Sequence, residues 1–352
     1  MFHKRDSTPF RADRWEAGHQ EHLSPQRAEA PTIRDTGLCL REDKLKNFLK
    51  TAAVVAGMAV AAPAMAQDII VVAHGQANDP FWSVVKNGVE KAAKDTGANV
   101  DFRSPETFDM VQMSQLIDAA VNQEPDGLVV SIPDADALSP SIRRAVEAGI
   151  PVISMNSGSD VSKDLGALLH VGQDEYTAGK AAGEKLASMG GTVGICVNQE
   201  VGNVALDLRC QGFSDGFGGS VEVIPTQNDP AEVEAKVKAA LESNPDIDTV
   251  MGLGASLVGE PSVRAVAAVG RTGEVNVATF DLSASFLESV SKGDAAFAID
   301  QQQFLQGYLP VSFLALNANY GLIPGGNVPS GPNLITQDKA AQVVELSAEG
   351  IR

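Results

Sequence analysis

From Asp68 onward, short uninterrupted apolar runs alternate with stretches of helical periodicity, and this alternation restricts the fold more than any other feature of the chain. The runs are Ile69 to Ala73, Gly127 to Ser131, Pro151 to Met155, Thr192 to Val197, Thr249 to Leu253, Val275 to Phe280 and Ala296 to Ile299. None alternates polar with apolar, so each reads as a strand covered on both faces, as in a parallel sheet. Between them, Met113, Leu116, Ile117, Ala120 and Val121 follow helical spacing, as do Val233, Val237, Ala240 and Leu241. Gly149 and Gly190 stand where helix C-caps belong, and Pro151 follows the first of these. Repeated strand, helix, strand units predict an α/β protein with open parallel sheets. About ten strands exceed one comfortable sheet. The 352 residues therefore predict two lobes.

The charge is unevenly placed. The chain has a formal net charge of −18; of its 27 Lys/Arg and 45 Asp/Glu, 10 and 8 fall in residues 1–66, leaving 17 against 37, a net of −20, in residues 67–352. Nucleic acid and anionic membrane surfaces both require a basic footprint, so neither is an expected partner.

Lys44, Lys46 and Lys50 precede the apolar run Ala52 to Ala62, which leads to Ala64-Met65-Ala66. A basic segment, a short apolar segment and an Ala-x-Ala site are the parts of a secretory signal peptide, read here as residues 44–66 with cleavage near Ala66. The run is shorter than the ~20 residues that span a bilayer. Residues 1–43 carry no periodic apolar pattern and read as an unstructured extension or a misassigned start. No Cys follows the cleavage site, so a soluble periplasmic product is expected. Export also leaves Cys196 and Cys210 as a pair in an oxidising compartment. One disulfide tying a strand end to a helix is expected; the alternative is two buried free thiols.

Ligands of open parallel sheets bind beyond the carboxyl ends of the strands. After the first strand comes Asp79-Pro80-Phe81-Trp82, with an N-cap and an N1 proline opening a helix. Neighbouring helical side chains point about 100° apart, so Phe81 and Trp82 cannot both enter one core. At least one faces the crevice. Later strand ends carry Asp134 and Asp136, then Asn156, Arg209 on the helix after Cys196, Asp281 beside Phe280, and Gln301. Donors, acceptors and flat apolar faces together suit a sugar, whose hydroxyls need buried partners while its C–H faces lie on aromatic rings. Residues 67–352 contain two histidines, His74 and His170, and no Cys-x-x-Cys, His-Glu-x-x-His, Gly-x-Ser-x-Gly or Walker loop. No metal, cofactor or catalytic set is expected, and His74 reads as a structural residue at a strand end. Gly252-Leu253-Gly254 has Leu257 in the third position of a dinucleotide fingerprint, so close packing explains the glycines equally well.

These residues resemble the periplasmic sugar-binding proteins of ABC importers, of the ribose-, galactose- and inositol-binding type, over nearly all of 68–335. The likeness is carried by Asn78-Asp79-Pro80-Phe81-Trp82, Pro125-Asp126-Gly127 leading to Asp134-Ala135-Asp136, Gly149-Ile150-Pro151-Val152-Ile153, Leu208-Arg209-Cys210-Gln211-Gly212-Phe213, Phe280-Asp281, and Ile299-Asp300-Gln301 with Gln306-Gly307-Tyr308. The resemblance implies a two-lobed type I periplasmic-binding-protein fold, each lobe a parallel sheet flanked by helices. It implies three crossings, near Asn156, Gln301 and residue 330, so that residues 67–156 with 302–330 form one lobe and 157–301 with 331–352 the other. It implies that Asp79 binds sugar hydroxyls and that Phe81 and Trp82 pack on the ring. Asp134, Arg209, Phe280, Asp281, Gln301 and Asn156 complete the set. Where the ribose-type pattern has an Asn-Asp pair after the strand ending near Leu253, this chain has Gly254-Ala255-Ser256, which speaks for a ligand of different size or epimeric form.

The implied function is capture of a monosaccharide or polyol by a monomeric, non-enzymatic protein, with delivery to an ABC permease and ATPase. A ligand subunit for a chemoreceptor or sensor kinase would use the same binding chemistry. A transcription regulator of this fold would need an N-terminal helix-turn-helix and basic charge, which residues 1–66 do not show. A sugar hydrolase or isomerase using the carboxylates would change its ligand chemically.

Overall fold

The computed structural model describes residues 66–75 and 79–352. The extension 1–43 and the leader, apart from Ala66, lie outside the described residues, as does Asn78. What is described forms two six-stranded sheets.

The first contains β1 (Asp68–Val72), β2 (Asn99–Arg103), β3 (Gly127–Val130), β4 (Val152–Met155), β5 (His170–Gly172) and β11 (Val328–Pro329), in the order β11-β5-β4-β3-β1-β2 and wholly parallel. Its central strands β1, β3 and β4 are buried almost throughout because helices cover both faces. Ile69 and Val71 pack beneath α1 (Pro80–Thr96) and α9 (Gln303–Tyr320), while Ile70 and Val72 pack against α2 (Met110–Val121) and α3 (Ala135–Glu147). The second sheet contains β6 (Val193–Asn198), β7 (Ser220–Pro225), β8 (Thr249–Gly252), β9 (Asn276–Phe280), β10 (Phe297–Asp300) and β12 (Asn333–Thr336), in the order β12-β10-β9-β8-β6-β7. Only β12 runs antiparallel. Cys196, Met251 and Phe280 face α4 (Glu175–Ser188) and α5 (Val204–Phe217); Ile195, Val250 and Val277 face α6 (Pro230–Ser243), α7 (Glu260–Ala268) and α8 (Ala284–Lys292), with α10 (Gln337–Ala348) beside α8. Each such buried apolar side chain contributes about 1.5–3 kcal/mol.

The first crossing is not near Asn156. After β4 the chain stays in the first lobe and adds β5, which pairs with β4 and β11, so the crossing falls at Gln173–Asp174. A strand of three residues lacks the length that would mark it in sequence. The other crossings lie at Gln301–Gln302, between β10 and α9, and at Ser330–Pro332, between β11 and β12.

The thiols of Cys196 on β6 and Cys210 on α5 are joined in a disulfide. The neighbouring helices α4 and α5 meet backbone to backbone: a Cβ at Gly179 would run into the Arg209 carbonyl, and one at Gly212 into that of Tyr176. Only glycine permits this approach.

Candidate functional site

The strand ends of both sheets converge on one cavity. From the first lobe come His74, just past β1, Asp79, Phe81 and Trp82 at the start of α1, and Asn156 past β4. From the second come Gln199 and Glu200 past β6, Leu206 and Arg209 on α5, the segment Leu253 to Leu257 past β8, and Asp281 with Leu282 past β9. Gln301 lies in the second crossing.

Asp79 caps α1 through Oδ1, which accepts from the Phe81 N–H at 2.9 Å. Both aromatic rings that follow border the cavity; Trp82 is 4% exposed and meets Phe81 and His74 edge-on, with ring centroids 5.1 and 4.8 Å apart. Arg209 is held from three sides. Its Nε and Nη2 donate to Glu175 at 2.6 and 3.0 Å, its Nη1 donates to the Leu253 carbonyl at 3.4 Å, and its guanidinium lies 4.4 Å above the centre of the Phe280 ring. Phe280 does not itself line the cavity; it supports the arginine that does.

Asn156 and Asp281 both have left-handed backbones, with φ of 62° and 69°. Asn and Asp tolerate that region better than other residues with a Cβ, and such conformations gather at ligand sites. Gln301 donates to Asp281 from its amide nitrogen. Gln306 on α9 ties the hinge together: it accepts from Asn156 at 3.1 Å and donates to the Gln301 side chain at 3.0 Å and to Ser330 at 3.0 Å. One buried amide thus joins the second and third crossings to the end of β4.

The remaining site candidate lies elsewhere. Asp134 is the N-cap of α3, accepting from the Ala137 N–H at 3.0 Å, and is absent from the cavity wall. His74, read as structural, lines the cavity and also joins the lobes. Its Nδ1 lies 2.8 Å from Ser131 Oγ in its own lobe, while its Nε2 lies 3.8 Å from Glu200 Oε2 and 3.5 Å from Asn203 in the other. The Val204 N–H donates to the Pro133 carbonyl at 3.0 Å beside it.

Burial dominates the electrostatics. It lowers His74 to about 4, against the opposing Glu200 charge. It raises Asp79 to about 7, with Glu200 adding to the effect, and raises Asp281 to about 7 despite the nearby Arg209. Sequence reading missed Gln199, Glu200, Glu175 and Gln306. The first two directly follow a strand and obey the strand-end rule; Glu175 reads as an ordinary first-turn acid, and nothing marks Gln306 as a hinge tie.

Two lobes of largely parallel sheet joined by three crossings, with polar groups of both facing one cavity, define a two-lobed solute-binding protein. The chain belongs to the periplasmic binding protein domain family, whose sequence profile matches residues 69–321. Its fold is similar to that of a carbohydrate transporter from Acidothermus cellulolyticus solved in complex with myo-inositol, with a TM-score of 0.78 and 34% identity over 82% of this chain and all of that one. The xylose/arabinose-binding protein XylF of Sulfolobus acidocaldarius is 24% identical, covering 76% of this chain and 70% of its own. The ribose import binding protein RbsB of Escherichia coli is 26% identical, covering 72% and 88%. Among the described residues no helix is long and apolar enough to cross a membrane.

Proposed function

We propose that this protein binds a monosaccharide or cyclic polyol between its lobes in the periplasm and delivers it, unaltered, to an ABC permease and its ATPase. The observation that carries this reading is the composition of the cavity wall: buried donors and acceptors from both lobes surround a space that Phe81 and Trp82 close with aromatic rings. A polyol hydroxyl both donates and accepts, so it can answer the Arg209 and Asn156 donors and the Asp79 and Asp281 acceptors at once. The structural relative with bound myo-inositol supports a cyclic polyol. Asp79, Phe81, Trp82 and Asn156 touch the ligand from one lobe, Arg209 and Asp281 from the other, and Gln301 from the hinge.

Contacts made to both lobes exist only in the closed form, so ligand stabilises closure by its differential affinity. His74 facing Glu200 and Asn203, and Val204 bonded to Pro133, belong to that form and distinguish it for a permease. The test is a titration with myo-inositol, pentoses and hexoses, followed by Trp82 fluorescence and calorimetry, with the bound compound recovered and identified. Saturable binding of one compound, recovered unchanged, is expected. No response to any of them refutes binding, and a converted product refutes simple capture.

A further inference from the structure

A second cavity adjoins the first. It is partly open to solvent, has about 540 Å³ of room and is walled by both lobes, a size within the ~300–1,000 Å³ usual for small-molecule sites. Phe108, between β2 and α2, comes from the first lobe; Thr226, Gln227 and Asn228, between β7 and α6, come from the second. Gln199 and Glu200 belong to the walls of both cavities. A row of rings leads from one to the other: Trp82 and His74 in the inner wall meet at 4.8 Å between centroids, and His74 meets Phe108 in the outer wall at 5.8 Å. Along the shared edge, Glu200 accepts from the Asn228 amide at 3.3 Å. The side-chain carbonyl oxygens of Gln199 and Asn228 are buried and have no hydrogen-bond partner among the described residues.

Resting on the sugar- or polyol-binding reading above, we infer that the ring held in the inner cavity carries a second, glycosidically linked unit that lies in the outer one, so that the ligand is a disaccharide or a glycosylated polyol. Hydroxyl donors of the second unit meet Gln199 Oε1 and Asn228 Oδ1, and its C–H face lies on Phe108. Two other kinds of substituent fit worse. A phosphate or carboxylate would meet Glu200, Asp229 and Glu232, while Lys236, the one cation among the described residues of this wall, is taken by Glu232 and by the Pro225 carbonyl, each at 2.8 Å. A wholly apolar group would cover the two buried carbonyl oxygens and offer them no donor.

The test sets each single ring against its glycosylated counterparts: D-glucose against maltose and cellobiose, D-galactose against melibiose and lactose, D-xylose against xylobiose, and myo-inositol against galactinol. Each is titrated calorimetrically into the full chain and into two variants, Phe108→Ala and Val201→Trp, the latter filling the outer cavity from an exposed position. In one series a glycosylated compound is expected to bind one to one and at least about tenfold tighter than its single ring. Val201→Trp should cancel that advantage and leave the affinity for the single ring within about twofold. Phe108→Ala should cut the advantage severalfold. If every glycosylated compound binds no tighter than its single ring, or if the advantage survives both variants, the inference is overturned, and a Trp82 response to a single ring then leaves the proposed function standing. If no compound of any series binds, both readings fall.

Discussion

Arg209 on α5 and Glu175 on α4 form a two-pronged ion pair in which both residues are almost wholly buried, at 3% and 4% exposure. Burial alone would lower the guanidinium's pKa; the attraction and hydrogen bonds of Glu175, with the charges of Asp281 and Glu200 adding to them, more than offset this and raise it. Removing one partner of such a pair costs about 3–5 kcal/mol because the other charge stays buried. Arg209→Ala should therefore abolish ligand binding and also lower the melting temperature by roughly ten degrees. The double variant Arg209→Ala, Glu175→Ala should regain most of the stability and none of the binding. A double variant as unstable as the single one would contradict the charge-pair account.

Asp134 offers the contrast. Its carboxylate caps α3 and lies off the cavity wall, so Asp134→Ala should cost about 1 kcal/mol in thermal unfolding. Its ligand affinity should match that of the parent. A large loss of affinity at unchanged stability would place this residue in the site after all.

Closure should take up protons. With ordinary values in the open, wetted cleft, Asp79 and Asp281 rise from 3.8 to about 7 when buried, so closure weakens as pH climbs through that window. His74 has the opposite sign: lowered from 6.5 to about 4, it sheds a proton on closing and favours closure as pH rises across that range. Two carboxylates against one imidazole leave net uptake. Small-angle scattering of the ligand-free protein should show a larger radius of gyration at about pH 8 than at about pH 5.5, and equal radii would count against these assignments.

The disulfide closes a loop with a sequence separation of 14 residues. On chain-entropy grounds a loop of that size is worth about 3 kcal/mol. Calorimetric unfolding with a phosphine reductant, or of the variant Cys196→Ala, Cys210→Ala, should show a lower transition temperature. An unchanged transition would mean that the packing of Phe213 and Met251 around the bridge carries the stability by itself.

The central strands were legible because residues covered on both faces leave continuous apolar runs, as Ile69 to Val72 and Val250 to Gly252 do. β2 and β7 were not, since each is an edge strand with exposed positions and mixed composition, and β5 was too short to show. The same division holds in the site. Asp79, Asn156, Arg209, Asp281 and Gln301 could be named, and they do line the cavity. Asp134 could not be told from them, because a strand-end aspartate that caps a helix has the same local sequence as one that also faces a ligand. Glu175 was hidden for a different reason: its partner lies 34 positions away, and only the close approach of α4 and α5 brings them together.

That approach has a mechanical consequence. α4 begins directly after the first crossing, and its Gly179 rests on the backbone of Arg209 itself. Where Gly179 and Gly212 set backbone on backbone there is no side chain to flex, so a rotation about Gln173 and Asp174 would reach the guanidinium with little play, as through a gear cut with no backlash. On the proposed function, the angle through which the lobes close, rather than a choice of rotamer, would then set where Arg209 meets its ligand.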